Sequence, residues 1–252
     1  MKRINKICPL TICVSAVLLV TGCTGEQQPK PDAAFYNNRG VDYYKKGQYD
    51  QAISDYNKAI ALNPKFAMAY NNRGAAYNDK GRYDQAISDY TKAIALNPRD
   101  AKAYYNRGSA YHKISRHDQA ISDYTRAIAL NPAGAEAYVN RGNLFDVKGK
   151  FDQSISDFNN AIELNPRDAK AYLNRGVAYF NQGRYDQAMS DFNKALELNP
   201  RYALAYKNRA IAYFYIEEYD NAWRNVIKAQ DLGYKINPKF LKMLRETSDR
   251  DK

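Results

Sequence analysis

The sequence has few of the residues from which metal centres and nucleophilic active sites are usually built. Its 252 residues include three cysteines and two histidines, His112 and His117. Two histidines need further ligands at suitable geometry before they can hold a metal ion. We also find no Ser-His-Asp set and no glycine-rich phosphate loop. We therefore predict that the chain is not an enzyme and uses neither a metal nor a dissociable cofactor.

Long apolar runs are also lacking, with one exception close to the first residue. Residues 7–20 are mostly apolar and follow the basic segment MKRINK. This run is too short to cross a bilayer comfortably, and its flanking charge is typical of a secretory signal peptide. We expect Cys8 and Cys13 to be removed with it. Cys23 then remains as the single cysteine, and no disulfide framework can form within one chain.

The residues after this run, Val20-Thr21-Gly22-Cys23, resemble the lipobox of bacterial lipoproteins. The resemblance implies that residues 1–22 are a lipoprotein signal peptide and that Cys23 becomes a lipidated N-terminus. The covalent lipid on Cys23 is the only cofactor it implies. The alternative is an ordinary cleavage site at which Cys23 is merely a small residue.

A lipidated N-terminus implies a protein held on a membrane of the bacterial cell envelope. Thr24 stands where lipoproteins retained in the inner membrane commonly have Asp, which favours the outer membrane, facing the periplasm, if the organism is Gram-negative. Residues 23–32 are polar with two prolines and read as a lipidated start and tether. Nine extended residues reach at most roughly 30 Å, so we expect the rest of the chain to lie close to the lipid.

The chain is basic, with 38 Lys and Arg against 27 Asp and Glu, a net charge of +11. Removal of the three signal-peptide cations leaves 35 against 27, or +8. A nucleic-acid partner would suit such a charge. We predict none, because an exported chain does not meet nucleic acid and the basic residues are spread evenly rather than clustered.

A repeat of 34 residues organises the chain. Residues 83–98, YDQAISDYTKAIALNP, recur with small changes, and five glycines fall into one register: Gly40, Gly74, Gly108, Gly142 and Gly176. Such a unit buries its apolar face only by stacking on its neighbours. The six copies span residues 33–66, 67–100, 101–134, 135–168, 169–202 and 203–236, and residues 237–252 are expected to form a capping helix and a tail.

Each copy contains two helix patterns, A and B, numbered here from the first residue of the copy. Aromatic residues at positions 4 and 11 flank the glycine at position 8 on one face of helix A. Glycine inside a helix costs roughly 1 kcal/mol, so we expect another helix to approach closely there. Helix B carries a small, an aromatic and a small residue at positions 20, 24 and 27. It ends at Asn-Pro, where we expect the Asn to form a left-handed cap.

These features resemble the tetratricopeptide repeat family over residues 33–236. The resemblance implies an all-α fold, an α-solenoid in which six helix-turn-helix repeats form a right-handed superhelix. Some residues depart from the family's pattern. Position 7 is Arg rather than aliphatic in every copy, Ser115 and Glu217 replace the turn glycine, and Ser154 replaces a small apolar residue.

Two charged positions predict a structural ladder. Position 7 is always Arg, and position 23 on helix B is Asp in five copies and Asn225 in the sixth. We expect partly buried ion pairs, within a repeat or between neighbours. The members are Arg39, Arg73, Arg107, Arg141, Arg175 and Arg209 with Asp55, Asp89, Asp123, Asp157 and Asp191.

Position 6 is asparagine in every copy, although asparagine is a mediocre helix former. An amide offers both a donor and an acceptor to the backbone of an extended peptide. We predict an asparagine ladder along the concave groove, as in some tetratricopeptide superhelices; the alternative is that repeat duplication carried it along and it binds only water. The ladder is Asn38, Asn72, Asn106, Asn140, Asn174 and Asn208.

Selectivity is predicted to come from variable positions on the same broad face. The candidates are Asn37, Asn71, Tyr105, Val139, Leu173, Phe180, Phe214 and Tyr215. They change from polar to apolar along the chain, which suits a segment that changes in the same way.

The sequence thus predicts a lipid-anchored adaptor that binds an extended peptide or protein segment in its groove. Two alternatives stay open. One is a self-assembling structural lipoprotein that forms homo-oligomers through Phe214 and Tyr215. The other is a pilotin-like factor that assists an outer-membrane secretion or pilus complex.

Overall fold

The computed structural model describes residues 31–248, which form thirteen α-helices and no β-strand. The predicted signal peptide, Cys23 and nearly all of the tether lie outside these residues. In the six repeats, helices A and B alternate along the chain, and a final helix follows. They are α1 (Ala33–Lys45), α2 (Tyr49–Leu62), α3 (Ala67–Asp79), α4 (Tyr83–Leu96), α5 (Ala101–Lys113), α6 (His117–Leu130), α7 (Ala135–Val147), α8 (Phe151–Leu164), α9 (Ala169–Asn181), α10 (Tyr185–Leu198), α11 (Ala203–Tyr215), α12 (Tyr219–Asp231) and α13 (Pro238–Thr247).

Consecutive A and B helices pack as antiparallel pairs, and the pairs stack in chain order. The all-α solenoid is therefore confirmed. Among residues 31–248, we see no helix with the length and apolar character needed to span a bilayer.

The glycine at position 8 lets helices A and B of one repeat approach closely. A Cβ added to Gly176 would lie 2.7 Å from Cε1 of Phe192, which is itself fully buried. The other four glycines face the position-24 ring of their own repeat in the same way. The sixth repeat changes both members, because Ala210 packs in one core cluster with the smaller Val226. The predicted close approach is confirmed.

The end of helix B differs from the prediction. Asn63 has φ −139° and ψ 91°, which is extended rather than left-handed, and the Asn of the next four copies is alike. The proline that follows is the physical reason, because its ring restricts the preceding residue to extended backbone. The Asn63 side chain instead accepts a hydrogen bond from the backbone N–H of Lys65 at 3.0 Å.

The turn between helices A and B needs a left-handed residue. Gly47, Gly81, Gly149 and Gly183 supply it in four copies. In the third and sixth copies Ser115 and Glu217 adopt φ 60° and 62°, a conformation that side chains with a Cβ disfavour.

The A helices form the inner side of the stack. Successive A helices contact each other at α1–α3, α3–α5, α7–α9 and α9–α11, whereas no two successive B helices in the described part of the chain contact each other to the same degree. Elements on the inside of a curve lie closer together, so the A helices line the concave groove.

Helix α13 covers the last repeat. Its N-cap Asn237 accepts from the N–H of Lys239 at 2.9 Å, and Leu244 is fully buried. The Trp223 indole N–H donates to the Ser248 hydroxyl at 3.0 Å. Phe240, Leu241 and Leu244 thus pack on the last repeat, whereas Met243 is exposed. A stacked array needs such a cap at its open end.

Candidate functional site: the concave groove

The position-7 arginine binds the position-23 aspartate of its own repeat. In the fourth repeat, Arg141 donates through Nε and Nη2 to the two Asp157 oxygens at 2.8 and 2.7 Å. The first, second, third and fifth repeats have the same bidentate pair, always sixteen residues apart. The sequence had left the partner open; the structure places it within the repeat. In the sixth repeat Arg209 makes one bond to Asn225, at 2.9 Å.

The same arginine also reaches the preceding repeat. Arg141 Nη1 donates to the Thr125 hydroxyl at 2.9 Å, and the guanidinium lies 5.9 Å from the Tyr138 ring and 5.7 Å from the Phe145 ring. From the second repeat onward, position 25 of the preceding copy supplies this acceptor. This acceptor was not among the predicted site residues, although position 25 is Asn or Thr in the first five copies. From the second repeat onward, each arginine thus joins two helices of one repeat to helix B of the repeat before it.

The aspartate of each pair is buried, which favours a structural role for the ladder. Asp157 is 3% exposed, and burial raises the pKa of its carboxyl more than the hydrogen bond from Arg141 lowers it. The hydrogen bond from Arg39 holds the pKa of Asp55 below its usual range. Burial lowers the pKa of Arg209, which has Asn225 rather than a carboxylate beside it.

The position-6 asparagines lie along the A-helix side of the stack. Asn38 is exposed and the other five are half-buried. In the second to fifth copies the amide nitrogen donates to the preceding A helix: Asn72 to Asn37 at 3.0 Å, Asn106 to Asn71 at 3.2 Å, Asn140 to the Tyr105 hydroxyl at 3.1 Å and Asn174 to Asn143 at 2.9 Å. Among residues 31–248 no protein donor is hydrogen-bonded to the oxygens of these four amides. These four side chains are therefore held in place through their amide nitrogens, and their amide oxygens remain available as hydrogen-bond acceptors.

Most of the predicted position-5 residues are buried rather than open to the groove, although Asn71 and Tyr105 border depressions in it. Asn37, Asn71, Val139 and Leu173 are buried between helices, with exposures of 1%, 5%, 6% and 1%. Their side chains turn toward the neighbouring A helix, where the asparagines accept from the position-6 amide of the next copy. Tyr105 is half-buried and accepts from Asn140 in the same manner. Buried side chains cannot select a segment lying on the surface, so the prediction that Asn37, Val139 and Leu173 confer selectivity is wrong.

A compensating change follows from this contact. Val139 cannot accept a hydrogen bond, and Asn174 turns to Asn143 at position 9 instead. The signal was present in the sequence, because Asn143 is a polar residue at position 9 in the copy that has an apolar residue at position 5. Sequence analysis overlooked it.

Positions 9, 12 and 13 line the groove. Val41, Tyr44 and Lys45 border a depression of about 300 Å³ near its start. Val177, Phe180 and Ile211 border a smaller one of about 150 Å³ near its end. The predicted change from polar to apolar is visible in the cross-repeat contacts, from Tyr44 donating to Asp79 at 2.5 Å to the Phe180 and Tyr215 rings with centroids 5.2 Å apart.

The two terminal aromatic candidates differ in access. Phe214 is half-buried, and its ring centroid lies 5.7 Å from that of Phe240 on α13. Tyr215 is 54% exposed beside Phe180 and Tyr185. Of these two residues, Tyr215 therefore exposes the larger part of its ring to a binding partner.

The histidine pair stands at the turn of the third repeat. Their ring centroids are 6.0 Å apart and edge-on, and burial together with His117 lowers the pKa of His112. Tyr44 and Tyr49 occupy the same two positions in the first repeat with the same proximity. No cluster of three or more His, Cys, Asp or Glu suited to a metal ion occurs among the described residues.

The stacked helix pairs and the lined groove define an α-solenoid repeat protein. Two family models match the sequence: tetratricopeptide repeat over residues 101–133 and 169–202, and TPR repeat over residues 40–81, 76–115 and 148–183. The chain belongs to the tetratricopeptide repeat family. These models describe a structural repeat and not a catalytic domain. Among curated proteins, none matches the chain significantly.

The chain is also similar to solved structures of repeat proteins with this fold. A crystal structure of MamA protein is 34% identical, with a TM-score of 0.62, and the match covers 67% of this chain and 92% of that one. YrrB, described as a TPR protein with an unusual peptide-binding site, is 28% identical with a TM-score of 0.62, covering 70% and 91%. Pseudomonas aeruginosa pilF has a TM-score of 0.73 at 19% identity, covering 85% and 97%, and shows the fold alone.

Proposed function

We propose that this protein is a lipid-anchored adaptor of the bacterial cell envelope that captures an extended polypeptide segment in its concave groove. One observation carries the proposal: the position-6 amides of the second to fifth copies stand in a row on the A helices, each fixed by a hydrogen bond to the preceding A helix, with oxygens left as acceptors. A row of fixed acceptors at regular spacing suits backbone N–H groups of an extended chain, whatever its sequence. The peptide-binding site of YrrB gives the proposal support from a relative.

The groove is tested by photo-crosslinking from matched sites. A photo-reactive residue is placed at Ala75, which lines the groove, or at Ala95, which is exposed on helix B. In the native envelope we expect a crosslinked partner from position 75 and none from position 95. Equal products from both sites would contradict groove binding.

Replacing Asn106, Asn140 and Asn174 together by Ala should then abolish the crosslink from position 75. We expect helicity and melting temperature to stay nearly unchanged. Each lost half-exposed hydrogen bond costs about 0.5–1 kcal/mol, and the higher helix propensity of Ala offsets much of that. Circular dichroism of the same variant checks the fold. A partner captured as before would refute the ladder.

Membrane attachment rests on the lipobox-like tetrad that ends at Cys23. In cells fed labelled palmitate, we expect the full-length protein to carry the label and to sediment with membranes. Cys23→Ser should lose both properties. Labelling that survives this change would rule out a lipid on Cys23. Separation of inner from outer membranes then tests the predicted outer-membrane location.

A self-assembling lipoprotein is the second candidate, and the exposed ring of Tyr215 beside Phe180 and Tyr185 favours it. Sedimentation of the detergent-purified full chain distinguishes the adaptor from the self-assembling lipoprotein. A protein that stays strictly monomeric at high concentration would rule out self-assembly. The pilotin-like alternative gains only the shared fold from pilF.

A further inference from the structure

A cleft of about 600 Å³ opens at the edge of the groove between the third and fourth repeats. Its cause is local. The loop before α7 has Ala133 and Gly134, where the other copies have the larger pairs Lys65-Phe66, Arg99-Asp100, Arg167-Asp168 and Arg201-Tyr202. The loss of these side chains leaves the space empty, with Tyr105 and Asn106 of the groove on one wall.

Two opposite charges border this cleft. Lys102, on α5, and Glu136, on α7, are both exposed and stand at position 2 of successive repeats. Neither has an ion-pair partner within residues 31–248. The cleft therefore presents one cation and one anion on successive A helices, beside an amide of the asparagine row. Glu136 also interacts with the Tyr105 hydroxyl, and burial together with the charge of Glu136 raises the pKa of Tyr105.

We propose that this cleft is a specificity site for an extended segment carrying an acidic and a basic side chain a few residues apart, the acidic one at Lys102 and the basic one at Glu136. The inference rests on the proposed capture of a segment in the groove and adds the chemistry of that segment. The spacing follows from geometry. Directly packed helices lie about 8–10 Å apart, and α5 and α7 contact each other less than such pairs do. The two charges are therefore separated by roughly three residues of extended chain or more.

The chain offers a variant that fills the cleft without endangering the fold. Ala133→Arg together with Gly134→Asp reproduces the Arg-Asp pair found at the second and fourth repeat boundaries. There, Asp100 accepts from the N–H groups of Lys102 and Ala103 and caps α5, and Asp168 caps α9 by accepting from Lys170. Helix α7 has no side-chain cap. The double variant should therefore melt no lower than the wild type, because an Asp N-cap stabilises a helix.

The binding experiment uses the full-length chain in detergent and an array of twelve-residue peptides. One Asp and one Lys are set one to four residues apart, in both orders, in an otherwise uncharged sequence, with Asn and Gln replacing them in the control peptides. We expect one order and one spacing to bind about tenfold or more tightly than the neutral control. The cleft-filling variant should lose that advantage. The variant with Lys102→Glu and Glu136→Lys should prefer the opposite order. In the order that the wild type prefers, each peptide charge would lie beside a charge of the same sign on this variant.

The outcomes separate this inference from the proposed function. If neutral and charged peptides bind the wild type equally and the triple asparagine variant binds none, groove capture stands and the charge-reading cleft is overturned. An order preference that survives the filled cleft, or fails to reverse with the charges, also overturns it. If no peptide binds, both proposals fail.

Discussion

Replacing Asp157 by Ala is expected to lower the free energy of unfolding by about 3–5 kcal/mol, because the change strands a buried arginine. Both Asp157 oxygens accept from Arg141, whose side chain is 16% exposed and lies between two aromatic rings. Without the carboxylate, the guanidinium keeps only its bond to Thr125. Urea denaturation of the full chain, followed by circular dichroism, measures the loss.

The sixth repeat supplies a control for this prediction. Asp157→Asn copies the native Arg209–Asn225 pair, which keeps one hydrogen bond at 2.9 Å, so we expect a smaller loss of about 1–2 kcal/mol. Asp118, which is 85% exposed and paired with Lys148, should tolerate Ala with little change. An Asp157→Ala variant as stable as Asp118→Ala would show that the ladder does not hold the repeats together.

The second large effect concerns the aromatic ring that faces the helix glycine. Phe192→Val should cost about 2–4 kcal/mol, since it removes much of a fully buried ring and leaves a cavity. Gly176→Ala alone should also destabilise. Its methyl group meets the ring at 2.7 Å, and such overpacking typically costs about 1–3 kcal/mol, more than the helix propensity of Ala returns.

The double variant should be far more stable than the sum of the two single losses of stability predicts. With Val at position 192, the new methyl group fills part of the cavity, and Gly176→Ala is then expected to stabilise by about 0.5–1 kcal/mol. This sign reversal imitates the native pair of Ala210 and Val226. Thermal and urea unfolding of the four proteins of the cycle provide the measurement, and a Gly176→Ala effect of the same sign in both backgrounds would contradict the pairing.

Features that depend on local sequence could be predicted, and features that depend on the packing of distant residues could not. The two helices of each copy and their close approach at the position-8 glycine follow from the 34-residue period, and both agree with the structure. The extended Asn63 could also have been foreseen, since the proline after it restricts its backbone. In that case one local rule, the left-handed cap, was applied where another should have prevailed.

The burial of the position-5 side chains could not be predicted from local sequence. Helix periodicity places Asn37 on the same broad face as Asn38, but the curvature of the stack decides which of the two turns toward the next A helix. The cleft at Ala133 and Gly134 is similar, because its volume depends on how two neighbouring repeats sit against each other.

The sequence by itself determined the repeat, the number of copies and the residue types that face one another, because a period of 34 residues repeats every local preference in step. Tertiary structure alone decided that each arginine binds within its repeat, that the second to sixth arginines also hold the repeat before them, that most position-5 side chains are buried between helices, and that Lys102 and Glu136 border an open cleft. These depend on the distance and angle between stacked helices, which side-chain packing sets across many residues at once.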